Sequence, residues 1–180
     1  MDIPPETLNR DELQDYLNHH LLGSKSGVRL FQAAASTWNG TAYEQEFLEL
    51  SEQVSEEQDE LSQLIDQLDL RQSVVENAIG MAAEAAGRLN PVNITRSKSE
   101  GMTQVEMDVL QSALQGKAGM YAVLARLAER FPDAGLDGQR MSDLYEQAQD
   151  QQARVRRISD ETMDSRFVAP DHHHGSGVST

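Results

Sequence analysis

Residues 41–68 read TAYEQEFLELSEQVSEEQDELSQLIDQL. Taken at alternating steps of three and four, the stretch yields Tyr43, Phe47, Leu50, Val54, Glu57, Leu61, Leu64 and Leu68. Residues at that spacing share one side of a helix, and an apolar seam this long predicts a helix running the length of a bundle. One position breaks the seam. Glu57 stands where a leucine is expected, and a carboxylate facing a core requires a cation, a metal or hydrogen-bond donors. What Glu57 faces is the first functional question that the chain raises.

Working outward, the same periodicity predicts helices over about 8–37, 42–69, 74–89, 104–131 and 139–167. The first carries Leu13, Leu17, His20 or Leu21, Ser24, Val28, Phe31 and Ala35 on its seam. Its middle, Gly23-Ser24-Lys25-Ser26-Gly27, has low helix propensity. The register stays in phase on both sides, which favours close packing against a neighbour over a break. Thr41-x-x-Glu44, Ser73-x-x-Glu76 and Thr103-x-x-Glu106 all match the capping box that satisfies backbone donors at a helix start. That reading accounts for Glu44 and Glu106 as caps. The helix over 104–131 has a double seam, Val109, Ala113, Gly116, Met120, Val123 and Leu127 beside Met107, Leu110, Leu114, Lys117, Tyr121 and Leu124, and is expected to be central. The last helix is far more polar, with Leu144, Ala148, Val155 and Ile158 as a thin stripe. It is expected to lie across the bundle or to serve an oligomer contact. No strand pattern occurs, so the fold class is all-α, with residues 1–168 as a single domain. Residues 169–180 form a polar tail expected to be disordered. Its His172–His174 run is a weak metal binder at most, incidental or a remnant of engineering. The connection over 87–101 carries Arg88, Arg96 and Lys98 and reads as a solvated crossover.

Composition narrows the function. The 180 residues hold 15 Lys plus Arg against 30 Asp plus Glu, a formal net charge of -15. Such a surface repels phosphate backbones and anionic lipid, so neither nucleic acid nor a membrane is an expected partner. Cysteine is absent, which excludes disulfides, thiolate catalysis and Cys-ligated metals. No export signal and no apolar run of membrane-spanning length appear, and the expected location is cytoplasmic. There is no nucleophilic triad, and Gly116-Lys117 lacks the flanking residues of a phosphate-binding loop.

Four polar residues point inward in the helical register: His20, Glu57, Lys117 and Tyr121. In an antiparallel bundle they fall in one layer, with two readings. One is a Glu57–Lys117 ion pair that holds register with His20 nearby; the other is a metal or acid–base site. The ion pair is preferred. Asp15 and His19, with Glu12 a turn earlier, share one side of the first helix at metal-ligand spacing. They read first as an exposed patch. No cofactor is favoured. The alternative is iron, manganese or zinc held by His20 and Glu57 with Asp15 or His19.

The segments DYLNHHLLGSKSGVRL, EQVSEEQDELSQLI and VEMDVLQSALQGKAGMYAVL together are similar to a group of small ferritin-like bacterial proteins of unassigned activity. The resemblance covers about residues 8–131. It implies an antiparallel ferritin-like four-helix bundle with an additional C-terminal helix. Active members of that superfamily hold two irons with Glu on two helices and Glu-x-x-His on the other two. No Glu-x-x-His occurs in this chain, and Lys117 would put a positive charge where a second metal would sit. Oxidase and iron-storage activities are therefore not carried over. The expectation is a non-catalytic bundle acting through protein–protein contacts or self-association, most simply as a homo-oligomer.

Overall fold

The computed structural model describes residues 7–72 and 100–168. Almost all of them lie in α1 (Arg10–Thr37), α2 (Ala42–Gln67), α3 (Glu100–Arg130) and α4 (Gly138–Phe167), with a 3-10 turn at Pro132–Ala134. No strand occurs among the described residues, and none of these helices is long and apolar enough to cross a membrane. The helix expected over 74–89, the Ser73–Glu76 box, Arg88, Arg96, Lys98 and the His172–His174 tail lie outside the described residues.

Helix α1 begins at Asn9, whose side chain accepts from the Glu12 amide at 3.3 Å. The helix runs unbroken through Gly23–Gly27. Gly27 is buried, and a Cβ there would meet Val54 at 3.7 Å, an ordinary van der Waals contact, so α2 passes close by without requiring glycine. Gly23 differs. A Cβ there would meet no atom within 4 Å.

Helix α2 is capped as its sequence predicts, with one adjustment. The Thr41 hydroxyl accepts from the Tyr43 amide at 3.2 Å, and Glu44 reaches back to the Gly40 amide at 2.8 Å rather than to Thr41. Every seam residue from Phe47 to Leu68 is buried, Glu57 included at 4 % exposure.

Helix α3 corrects two expectations. It starts at Glu100, so Thr103 and Glu106 lie inside the helix and form no capping box. Its seam of Met107, Leu110, Leu114, Tyr121 and Leu124 is buried, but on the second seam Ala113 and Gly116 are exposed and Val123 is 41 % exposed. One side of the helix expected to be central is therefore open. Helix α4 corrects a third. It is a full member of the bundle, antiparallel to α3, with Leu144, Ala148, Val155 and Ile158 all buried within the chain. Its stripe is not an external surface.

The directions of the helices follow from their contacts. Arg10 donates to the Leu68 carbonyl and Ser51 to the Val28 carbonyl, so α1 and α2 are antiparallel. Gln104 meets Ser159 and Gln152 meets Gln111, so α3 and α4 are antiparallel as well. Thr37 at the end of α1 meets Glu106 near the start of α3, while Tyr16 lies beside Val123 and Leu127. That makes α1 and α3 antiparallel and α2 and α3 parallel. The chain leaves α2 at one end of the bundle and enters α3 at the other.

The core is in two parts. Leu17, Leu61, Leu64, Tyr121, Leu124 and Leu144 belong to one apolar cluster. Phe31, Phe47, Leu50, Met107, Leu110 and Ile158 belong to the other. Glu57 and Lys117 lie between them in sequence on both α2 and α3.

Gly23 has no packing duty, so Gly23→Ala is expected to raise stability by about 1 kcal/mol through helix propensity. Gly135→Ala is expected to lower it by about 1 kcal/mol or more, because a side chain must adopt φ +82°. Urea midpoints at unchanged slope measure both. A loss of stability in Gly23→Ala would show that this glycine is needed for packing.

Candidate functional site

Glu57 is held by α3 and α4 together. Lys117 donates from Nζ to Glu57 Oε2, and Gln151 donates from Nε2 to Glu57 Oε1 at 2.7 Å. Lys117 also donates to Gln151 Oε1, which closes a triangle. Gln151 is 0 % exposed and the Lys117 side chain 14 %. An amide suits this place because it presents an N–H to the carboxylate and a C=O to the ammonium at once. Burial pushes the Lys117 ammonium below its ordinary range, while the adjacent Glu57 carboxylate opposes that shift.

The triangle opens outward along the α2–α4 seam. Gln151 donates to Gln53 at 3.2 Å, and Arg154 also reaches Gln53, at 3.4 Å. Arg154 bonds Glu46 and Glu49, Arg157 bonds Glu46 and Glu161, and Arg140 forks onto Glu60. Burial pushes the Glu46 carboxyl up, but bonds from Arg157 and Arg154 outweigh it and hold the group below its ordinary value. These partly exposed pairs are worth little individually. They do explain why α4 is so polar, since the residues beside its apolar stripe are matched to acids on α2.

The other members of the expected layer lie apart from the triangle. Tyr121 is 2 % exposed in the apolar cluster, makes no hydrogen bond among the described residues, and is pushed upward in pKa by burial. His20 is half-buried, meets the Tyr16 ring edge-on at 4.7 Å between centroids, and does not bond Glu57. Burial, then the neighbouring His19, lowers its pKa. His19 and Asp15 are exposed, and the imidazole Nδ1 lies 2.7 Å from the Asp15 carbonyl of the same helix. Glu12 is exposed too. The expected alternative ligands are thus spread over a surface turn and a core layer. Among the described residues no three His, Asp or Glu side chains come together to hold a metal ion.

Two features escaped the sequence reading. Gln151 lies on the stripe of Leu144, Ala148, Val155 and Ile158 at helical spacing, so the signal was present, but a glutamine in a glutamine-rich helix does not stand out. Glu106 is the second. It is 3 % exposed, and its one hydrogen bond is with Thr37 at 3.4 Å. Thr37 also donates to the Ala33 carbonyl at 3.1 Å. A hydroxyl has a single proton, so Thr37 shares it between the Ala33 carbonyl and Glu106 Oε1 and gives the carboxylate only a weak donor. The C-terminal end of α1, where Thr37 lies, disfavours an anion as well. Burial pushes Glu106 up to about 7, against the opposing bond from Thr37.

Between α1 and α3, beside Lys117, lies a cavity of about 190 Å³. His20, Gly23 and Gly27 line it from α1, Glu57 and Leu61 from α2, and Gly116, Lys117, Met120 and Tyr121 from α3. No protein-family model, curated protein or solved structure matches this chain.

Lys117→Met leaves a carboxylate buried without a cation and is expected to cost about 3 kcal/mol, most of it recovered when Glu57→Gln is added. A double-mutant cycle in urea measures this. A single-variant loss well under about 1 kcal/mol would mean that water already screens the pair.

The sign for Glu106 is opposite to that of an ordinary paired carboxylate. Its folded pKa lies above the unfolded one, so the unfolded chain releases this proton near pH 4.5 and the folded chain holds it to about 7. The contribution is therefore full below pH 4.5 and is lost as pH rises to about 7, by about 3 kcal/mol in total. Glu106→Gln is expected to remove that component, so the variant should gain on the wild type across this window. A constant difference with pH would refute the assignment.

Proposed function

We propose that this chain is a non-catalytic, ferritin-like bundle in a cytoplasmic setting, and that it acts by self-association. The connectivity supports the first part. Two antiparallel pairs, with α2 and α3 parallel and the chain passing from one end of the bundle to the other between them, are what a ferritin-like fold with one long crossover requires. In this reading α4 is the fourth bundle helix rather than an addition to it. The triangle supports a structural role for the polar layer, since both Glu57 oxygens are committed to Lys117 and Gln151.

One observation carries the association. Near the start of α1 and the end of α3, Leu8, Tyr16, Val123, Leu127 and Phe131 line an open apolar strip. Exposed Glu12 and Asp15 flank it on α1, and exposed Arg126 lies on α3. A two-fold axis through such a strip sets the acidic side of one copy against the basic side of the other, because the same patch serves both subunits. A second copy of the chain is the occupant that this charge pattern fits. Isolated exposed side chains need no explanation, but a contiguous strip marks a contact surface.

Sedimentation velocity over a range of concentrations is the test. The expected result is a reversible dimer that Val123→Asp converts to monomer without loss of helicity. A strict monomer at every concentration, or a dimer indifferent to Val123→Asp, would sink this reading.

A further inference from the structure

The cavity between α1 and α3 is a feature that neither the ion-pair layer nor self-association uses. The cavity is a cleft rather than a closed void, since Gly23, Ala113 and Gly116 in its lining are exposed. It has a volume of about 190 Å³, and an apolar cavity of about 150 Å³ is enough to hold benzene. Two glycines help to create it. Gly23 and Gly116 both line it from mid-helix positions, where glycine costs about 1 kcal/mol against alanine. Neither has a positive φ, and a Cβ on either would meet no atom within 4 Å. Neither backbone strain nor close packing therefore accounts for them. Their effect is space.

The walls are mostly apolar, with Phe31, Val54, Leu61, Ala113, Leu114 and Met120 among them. His20, Lys117 and Tyr121 supply polar groups to the lining. Lys117 spends two of its three N–H donors on Glu57 and Gln151, which leaves one. The Tyr121 hydroxyl makes no hydrogen bond among the described residues, and the residue also borders the α2–α4 side beside Glu60 and Arg140. His20 completes the set. Tyr121 and a neutral His20 can donate or accept, but Lys117 can only donate, so the group that meets it is an acceptor. Charge narrows the choice further. Glu57 already neutralises Lys117, so an added carboxylate would crowd Glu57 and an added ammonium would crowd Lys117.

We propose that this cavity is a binding site for a small uncharged molecule with a benzene-sized apolar body and one hydrogen-bond-accepting oxygen. The apolar body fills the space left by Gly23 and Gly116, and the oxygen accepts from Lys117 or Tyr121.

Benzyl alcohol is the probe, with toluene, benzoate and benzylamine as controls, followed by amide ¹H–¹⁵N spectra of the full chain. Saturable shifts confined to the neighbourhood of Gly23, Ala113, Gly116 and Met120 are expected for benzyl alcohol, weaker ones for toluene, and none for the charged analogues. Gly116→Leu fills the cavity from within and is expected to abolish the shifts while keeping a dispersed spectrum and an unfolding midpoint no lower than the wild type. Tyr121→Phe is expected to weaken benzyl alcohol about five-fold and leave toluene unchanged. Three outcomes would overturn the proposal: no saturable binding, equal binding of benzoate or benzylamine, or a folded Gly116→Leu variant that binds like the wild type.

Discussion

A carboxylate at the centre of an apolar seam constrains everything around it. Glu57 is nearly inaccessible on α2, so a cation and a further donor have to arrive at its height. Lys117 comes from α3 and Gln151 from α4, stretches of chain far apart in sequence. Apolar clusters on either side tolerate small slides of one helix past another, because leucine packs against leucine at many registers. The triangle does not. If α4 slipped by one turn, Gln151 would leave both partners and a buried ion pair would lose its bridge. Hydrophobic burial holds the bundle together, while this small polar set fixes its register.

The same logic extends to the surface of α4. Its sequence has too few apolar residues to look like a bundle helix, and that is why its place was misread. The missing attraction comes partly from charge, with Arg140, Arg154 and Arg157 spread along one side and Glu60, Glu49 and Glu46 in reverse order on α2. Each pair is weak in water. Together they favour one direction of packing, because a parallel α4 would break the correspondence. The acid excess of the chain is thus partly spent within it.

The helical fold class and the α1 and α2 seams were legible because periodicity reports burial directly, residue by residue. Phe47, Leu50, Val54, Leu61 and Leu64 are all buried, as their spacing requires. The meeting of Glu57 with Lys117 was legible as one of two readings, since each breaks an apolar seam at mid-helix. What failed were inferences from motif alone. Thr103-x-x-Glu106 has the letters of a capping box, but a motif does not say where the preceding turn begins, and α3 starts earlier. Gln151 was hidden by its surroundings. Tyr121 is buried and His20 only half-buried, and a place on the seam does not fix which neighbour a side chain reaches.

Glu57 and Glu106 show how a core can hold two carboxylates by opposite means. Glu57 has a cation and an amide at its oxygens, which suits a charged group. Glu106 has a single hydroxyl, whose one proton is shared with the Ala33 carbonyl, and it lies by the negative end of α1. One site is arranged for the anion and the other for the neutral acid. Neither arrangement follows from the residue type, since the two positions differ only in what the other helices bring to them. The difference also falls along the division of the core into two apolar clusters. The half around Glu106, with Phe31, Phe47 and Met107, carries a proton-dependent component of stability. Beside Lys117 a cavity opens where Gly23 and Gly116 withhold their side chains.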